Sequence, residues 1–212
     1  MPRPVGVRNR DFEEKRAALV DTLTDFALTM ERRNPSLRQF AIAASASEPT
    51  LRHYFGDRRG VILAILENLN KRAQPIWNAV RTPAKDPETA IEEYFRITRV
   101  GMMHGGFAEG HAFGIVEGIA DEVIGEAYLE YILNPALEVV SQKLGDTPGA
   151  DMSGKDGMAA AFLVLAPMLV MTLHQHLLGG DDKYPIDAER FLSTVNHLIV
   201  TGMNDKAAKP GA

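Results

Sequence analysis

Apolar residues recur every three or four positions along nearly the whole chain, and no stretch of useful length alternates apolar with polar. The first period belongs to helices and the second to strands, so the pattern predicts an all-α fold. Phe12, Leu19, Val20, Leu23, Phe26, Ala27 and Met30 make the first stripe, with Asn9 or Asp11 as its cap and Asn34-Pro35 as its stop. A short helix is expected from Ser36, because Ser36-Leu37-Arg38-Gln39 has the form of a capping box, and it ends near Ser45. Ser47 caps a third helix with Pro49 in its first turn, where the missing N–H costs nothing. That helix holds Thr50 to Phe55 and breaks at Gly56-Asp57. Val61, Ile62, Ile65, Leu66 and Leu69 line a fourth, and Pro75 with residues 82–86 marks a boundary.

Beyond it, Asp86-Pro87-Glu88 starts a helix whose period lasts until Gly105-Gly106. Helical pattern resumes to Gly118 and again from Asp121 to Leu144, with a kink expected at Pro135. Polar, Gly-rich residues 145–155 form a loop, and Asp187 caps a last helix with Phe191, Leu192, Val195, Leu198 and Ile199 inward. Between them Met158–Leu178 is very apolar. Its apolar run, interrupted by Pro167 and Thr172, ends at Leu173, short of the roughly 20 residues a bilayer requires, so a buried or intersubunit helix is expected and no membrane span.

The chain has no cysteine, which excludes disulfides, thiolate metal sites and cysteine nucleophiles and fits a reducing, cytoplasmic setting. Its start is basic without an apolar segment behind it, unlike a signal peptide. The net charge of −5 is unevenly spread: residues 1–74 carry 13 Lys+Arg against 9 Asp+Glu, and the rest carry 10 against 19. A basic first third on an acidic body suits a nucleic-acid reader joined to another module.

Two short helices joined by Ala43-Ala44-Ser45-Ala46-Ser47, behind a longer one, describe a helix-turn-helix. Leu37, Phe40, Ile42, Leu51 and Phe55 are expected to supply its core. The third helix then presents Thr50, Arg52, His53 and Tyr54 for a major groove. Arg38, Arg58, Arg59 and an arm of Arg3, Arg8 and Arg10 are candidate phosphate contacts. Ser36–Phe55 followed by a fourth helix resembles the N-terminal domain of the TetR family of bacterial regulators, whose third helix ends in a Thr-Leu-Tyr-x-Tyr-Phe-like string. Here the string is Thr50-Leu51-Arg52-His53-Tyr54-Phe55. By position, the resemblance implies DNA contacts at Ser36, Ser47, Pro49, Thr50, Arg52, His53, Tyr54 and Arg58. Ser45 stands for the usual turn glycine, Glu48 for a basic residue, Pro49 for a common glycine and Arg52 for a tyrosine. These departures bear on which operator is read. The division expected is a DNA-binding domain over 1–60, an effector and dimerisation domain over 61–206 and a disordered tail over 207–212.

In the body, Gly106, Gly110, Gly114 and Gly118 recur every four residues, which suits close approach of a neighbouring helix or a soft element that shifts on ligand binding. Trp77, Tyr94, Met102, Met103, His104, Phe107, His111, Phe113, Tyr128 and Tyr131 are either core or the lining of an effector pocket. The family places an effector cavity in this body, usually for small, largely apolar molecules. His174 and His176 sit about 200° apart on a helix and cannot chelate one ion. No catalytic or phosphate-binding motif occurs, so neither an enzyme nor a metal or other cofactor is expected. Met158–Leu178 and Asp187–Met203 are too apolar for one exposed face, and the family pairs two such helices per subunit in a four-helix dimer interface. The expected function is a homodimeric repressor that leaves a double-stranded DNA operator when a small effector binds. A helical structural protein with a degenerate DNA domain and a helical enzyme are the alternatives.

Overall fold

The computed structural model describes residues 5–29, 34–150, 152 and 154–207. Met30, Arg3 and residues 208–212 of the expected tail lie outside them. The described residues are helical and loop, with no strand. The helices are α1 (Val5–Leu28), α2 (Leu37–Ala43), α3 (Glu48–Phe55), α4 (Arg58–Val80), α5 (Pro87–His104) and α6 (Phe107–Ala120). There follow α7 (Glu122–Tyr128), α8 (Asn134–Asp146), α9 (Gly154–Thr172), the short α10 (Gly180–Lys183) and α11 (Ala188–Ala207). Two π-helical turns, Leu129–Leu133 and Leu173–Leu177, link α7 to α8 and extend α9.

Side-chain caps fall where short-range spacing predicts them. Ser36 accepts from the Gln39 amide at 3.3 Å while Gln39 Oε1 accepts from the Ser36 amide at 2.8 Å. Ser47, Asp86, Asp121 and Asp187 likewise receive amides of the first turns of α3, α5, α7 and α11. Each satisfies a donor that the helix itself leaves orphaned. The start of the first helix differs from expectation. α1 starts at Val5, ahead of both Asn9 and Asp11. α4 runs unbroken through Pro75 to Val80, and the chain passes between its two compact units at Arg72 and Ala73, close to that proline.

The contacts divide the chain into two compact units, residues 1–72 with 109–132, and residues 73–108 with 133–212. The first unit is centred on Leu23, Phe40, Leu51, Ile62, Ile65 and Leu66, all out of solvent. Arg72 of α4 ties to α1 through Asp25 at 2.5 Å and Asp21 at 3.2 Å. Hydrogen bonds from Asn68 and Arg72 hold the Asp21 carboxyl below its ordinary pKa.

Of the four ridge glycines, Gly110, Gly114 and Gly118 fall in this unit. Gly106 lies in the turn before α6 at φ +74°, so three of the four glycines share the helix. A Cβ on Gly114 would strike the Tyr128 ring, and one on Gly118 would come within 2.9 Å of the Gly125 backbone. α6 and α7 therefore touch across missing side chains. Pro135 cannot donate to the carbonyl four residues before it. That carbonyl, on Tyr131, instead accepts from Asn70 Nδ2 at 2.6 Å.

In the second unit α9 packs on α8 and α11, and α5 packs on all three. The core joins Val80, Ile91, Tyr94, Leu137, Val164 and Met168. Buried Lys143 donates to the Thr82 carbonyl at 2.6 Å and to Glu93 at 2.8 Å, pinning the chain before α5. With its π-helical turn α9 is 24 residues long, enough by length and apolarity to cross a membrane, but half of its most apolar window is buried within the protein. Phe162, Leu163 and Val170 remain exposed on its other side.

Candidate nucleic-acid interface

The reader is built from α2, a turn and α3, with α1 behind them. α2 closes in a Schellman motif: the Ala46 amide donates to the Ala41 carbonyl at 2.9 Å and the Ser45 amide to that of Ile42 at 3.1 Å. This geometry puts Ser45 at φ +50°, in the left-handed region where glycine is usual. The turn keeps its shape without glycine, against a steric cost of about 1–2 kcal/mol. Leu37, Phe40, Ala41 and Leu51 close the core between α2 and α3. Ile42, expected inside, is 68% exposed, because the face of α2 that meets α3 carries Phe40 and Ala41 instead. Phe55 is only partly covered, with the Arg16 guanidinium over its ring.

Each candidate contact has a definite place. Arg52 and His53 project from α3 into solvent, and Pro49 and Ser47 are exposed at its start. Thr50 Oγ1 is 2.8 Å from Ser47 Oγ, so the cap holds both hydroxyls near the helix N-terminus. Tyr54 is half-buried against Phe12 with ring centroids 4.7 Å apart, and His53 meets the same ring edge-on at 5.6 Å. The aromatic string at the end of α3 thus anchors it to α1. Ser36 and Arg38 are exposed at the start of α2, and Arg59 lies 3.8 Å from Asp121. Arg10 pairs with Glu14 one turn on, and Arg8 lies within α1 rather than in a separate arm.

Arg58 differs from the other arginines. Its Nε donates to the Pro35 carbonyl at 2.7 Å, and its Nη2 reaches Asn34 Oδ1 and, at 2.6 Å, Glu117 Oε1. Its charge is thereby committed inside the protein. No local signal could reveal this, because Glu117 is 59 residues away in sequence. Spacing also misses Gly60, where a Cβ would fall on the Phe55 carbonyl oxygen. Only glycine allows α4 to start so close behind α3, capped by Asp57 at 2.9 Å from the Gly60 amide.

The ten aromatic, methionine and histidine residues singled out in the body do not converge on one place. Trp77, Tyr94 and Met102 lie in the core of the second unit, with Phe107 packed against it. Met103 and His104 line a groove on that unit. In the first unit Phe113 is buried and Tyr131 lines a separate groove, beside α3 and α7. His111 Nδ1 and Tyr128 Oη form a buried hydrogen bond of 2.9 Å. Burial lowers the His111 pKa to about 4 and raises that of Tyr128 to about 12, so both are neutral at pH 7. Among the described residues no three His, Asp or Glu side chains gather closely enough to hold a metal ion.

Comparison with family models and with curated proteins gave no match. Among solved structures, the chain is similar to a protein of Mesorhizobium loti MAFF303099 provisionally assigned to the TetR family of transcriptional regulators. The likeness covers 90% of this chain and 97% of that one, with a TM-score of 0.67 and 16% sequence identity. The two share a fold.

Proposed function

We propose that the chain is a TetR-family transcriptional regulator that grips a double-stranded DNA operator through α3 as a homodimer. The observation that carries this reading is the reader itself. α3 is capped by Ser47, anchored to α1 through Tyr54 and Phe12, and leaves Arg52 exposed for base edges, with His53 exposed beside the Phe12 ring. Ser36, Arg38 and Arg59 flank it for the phosphate backbone, while Pro49, which has no donor, can offer only apolar contact. Glu48, half-exposed at the start of α3, disfavours a nearby phosphate and suits a cytosine amino group.

Dimerisation supplies the second reader that a palindromic operator needs. The exposed Phe162, Leu163 and Val170 of α9 and Leu198 of α11 support an interface between copies, since so much apolar surface otherwise stays in water. In this reading the protein is a cytoplasmic repressor, not an enzyme, and a small effector in the body ends its hold on DNA. A salt titration of binding to the duplex upstream of its own gene, beside a random duplex, tests the core of the proposal. Affinity should fall steeply with salt for both and stay at least about a thousandfold higher for the upstream duplex. Equal and salt-insensitive binding would leave a helical protein with a degenerate reader.

A further inference from the structure

A groove of about 510 Å³ runs between α5 and α11 in the second unit, a size within the usual range for small-molecule sites. Phe95, Met103 and Leu192 give it an apolar floor, and Arg96 and Arg99 stand on its rim. Glu92 and Glu189 line it too, with Glu189 3.9 Å from Arg99. Arg96 has no hydrogen-bond or ion-pair partner among the described residues.

Asn196 also lines the groove, although its residue is 96% buried, being only 4% exposed. Its Nδ2 donates to the Glu88 carbonyl at 3.1 Å, which fixes the amide orientation. Its Oδ1 is then left with no partner, the single buried side-chain polar atom in that state among the described residues. Such an acceptor destabilises the protein until something donates to it. Two residues along α11 is about 200° of rotation, so Asn196 and the exposed Leu198 face different ways. Leu198 accordingly does not line the groove.

We propose that this groove is the effector site and takes an apolar carboxylate that carries a hydroxyl or amine a few atoms from the acid. The carboxylate meets Arg96, the O–H or N–H donates to Asn196 Oδ1, and the hydrocarbon lies over Phe95, Met103 and Leu192. One uncommitted guanidinium in a groove that also holds two glutamates suits a single negative charge, and a dianionic phosphate would be repelled by Glu92 and Glu189. The same carboxylates favour an amine over a hydroxyl. The assignment rests on the regulator reading for its consequence, operator release, whereas binding stands by itself.

Calorimetry on the full chain with 3-hydroxydecanoate, 3-aminodecanoate, decanoate and 1,3-decanediol tests it. The two substituted acids should bind about tenfold or more tighter than decanoate or the diol. Arg96→Gln should bring the acids down to the diol, and Asn196→Leu should bring the substituted acids down to decanoate. Arg96 is exposed, so its variant keeps the fold and decides the matter even if Asn196→Leu melts early. Equal binding of all four probes, no effect of Arg96→Gln, or no binding up to millimolar concentration would overturn the site. Operator binding is followed separately by mobility shift. An operator held tightly with no acid bound removes the site alone, and acids that bind without releasing a specific operator remove the regulator's ligand response while the site stands.

Discussion

Arg58 Nη2 lies 2.6 Å from Glu117 Oε1, and the carboxylate it meets is 3% exposed. The same guanidinium holds the Pro35 carbonyl and Asn34, at the entrance to α2. One charge therefore fixes the approach to the reader against α6 inside the first unit. Removing either partner should destabilise by about 1–3 kcal/mol, below the cost for a fully buried pair because Arg58 is partly solvated. Arg58→Ala and Glu117→Gln should both lower Tm by several degrees. A normal Tm with a salt slope reduced by about one phosphate would instead make Arg58 a DNA contact.

Gly110 and Gly114 should respond oppositely to alanine. A Cβ on Gly110 meets Leu69 at 3.4 Å, an ordinary contact, so Gly110→Ala should gain up to about 1 kcal/mol of helix propensity. A Cβ on Gly114 has no room beside the Tyr128 ring, so Gly114→Ala should lose about 1–3 kcal/mol. Urea midpoints with unchanged slopes would measure both. Equal effects of the two substitutions would contradict the packing of α6 on α7.

Acid should weaken the fold through His111. Its pKa is about 4 folded and near 6.5 unfolded, so between those values the unfolded chain binds the extra proton. Stability tied to this residue is intact above about pH 6.5, declines as pH falls and is fully lost below about pH 4, a span of about 3 kcal/mol. Comparing Tm from pH 7 to 4 for the natural chain and His111→Gln checks this. The variant should start lower and fall less steeply.

On DNA, Arg52→Ala should cost about 1–3 kcal/mol and blur discrimination at one base pair, since Arg52 is exposed on α3. Arg38→Ala should weaken every duplex alike and lower the salt slope by about one. Binding to a set of singly substituted operators separates the two patterns. Uniform loss from Arg52→Ala would move that residue to the backbone.

Phe162→Glu together with Val170→Glu should split the proposed dimer while leaving each subunit folded, because both side chains are exposed on α9. Sedimentation at micromolar concentration should show monomers, and operator affinity should fall with them. A natural chain that sediments as a monomer at that concentration would end the dimer proposal.

What could be read in advance was local. Ser36 with Gln39, Ser47 with Thr50 and Asp86 with Thr89 are caps three residues apart, and such pairs close without help from the rest of the chain. Periodicity likewise identified the helices, but it does not say which neighbour a stripe meets. Ile42 keeps helical spacing and still faces water. The partners of Arg58 and Asn196 lie 59 and 108 residues away, beyond any spacing rule. The aromatic residues of the body share a period but sit in two units, so their likeness in sequence says nothing of proximity.

Ser45 gives the protein unused headroom. At φ +50° it occupies a conformation that asparagine adopts at lower steric cost and without the chain entropy that glycine loses on folding. Ser45→Asn would raise the melting point of the reader while leaving every DNA-facing side chain as it is. A lineage pressed by heat would find its first gain at that turn, with no change in what it recognises.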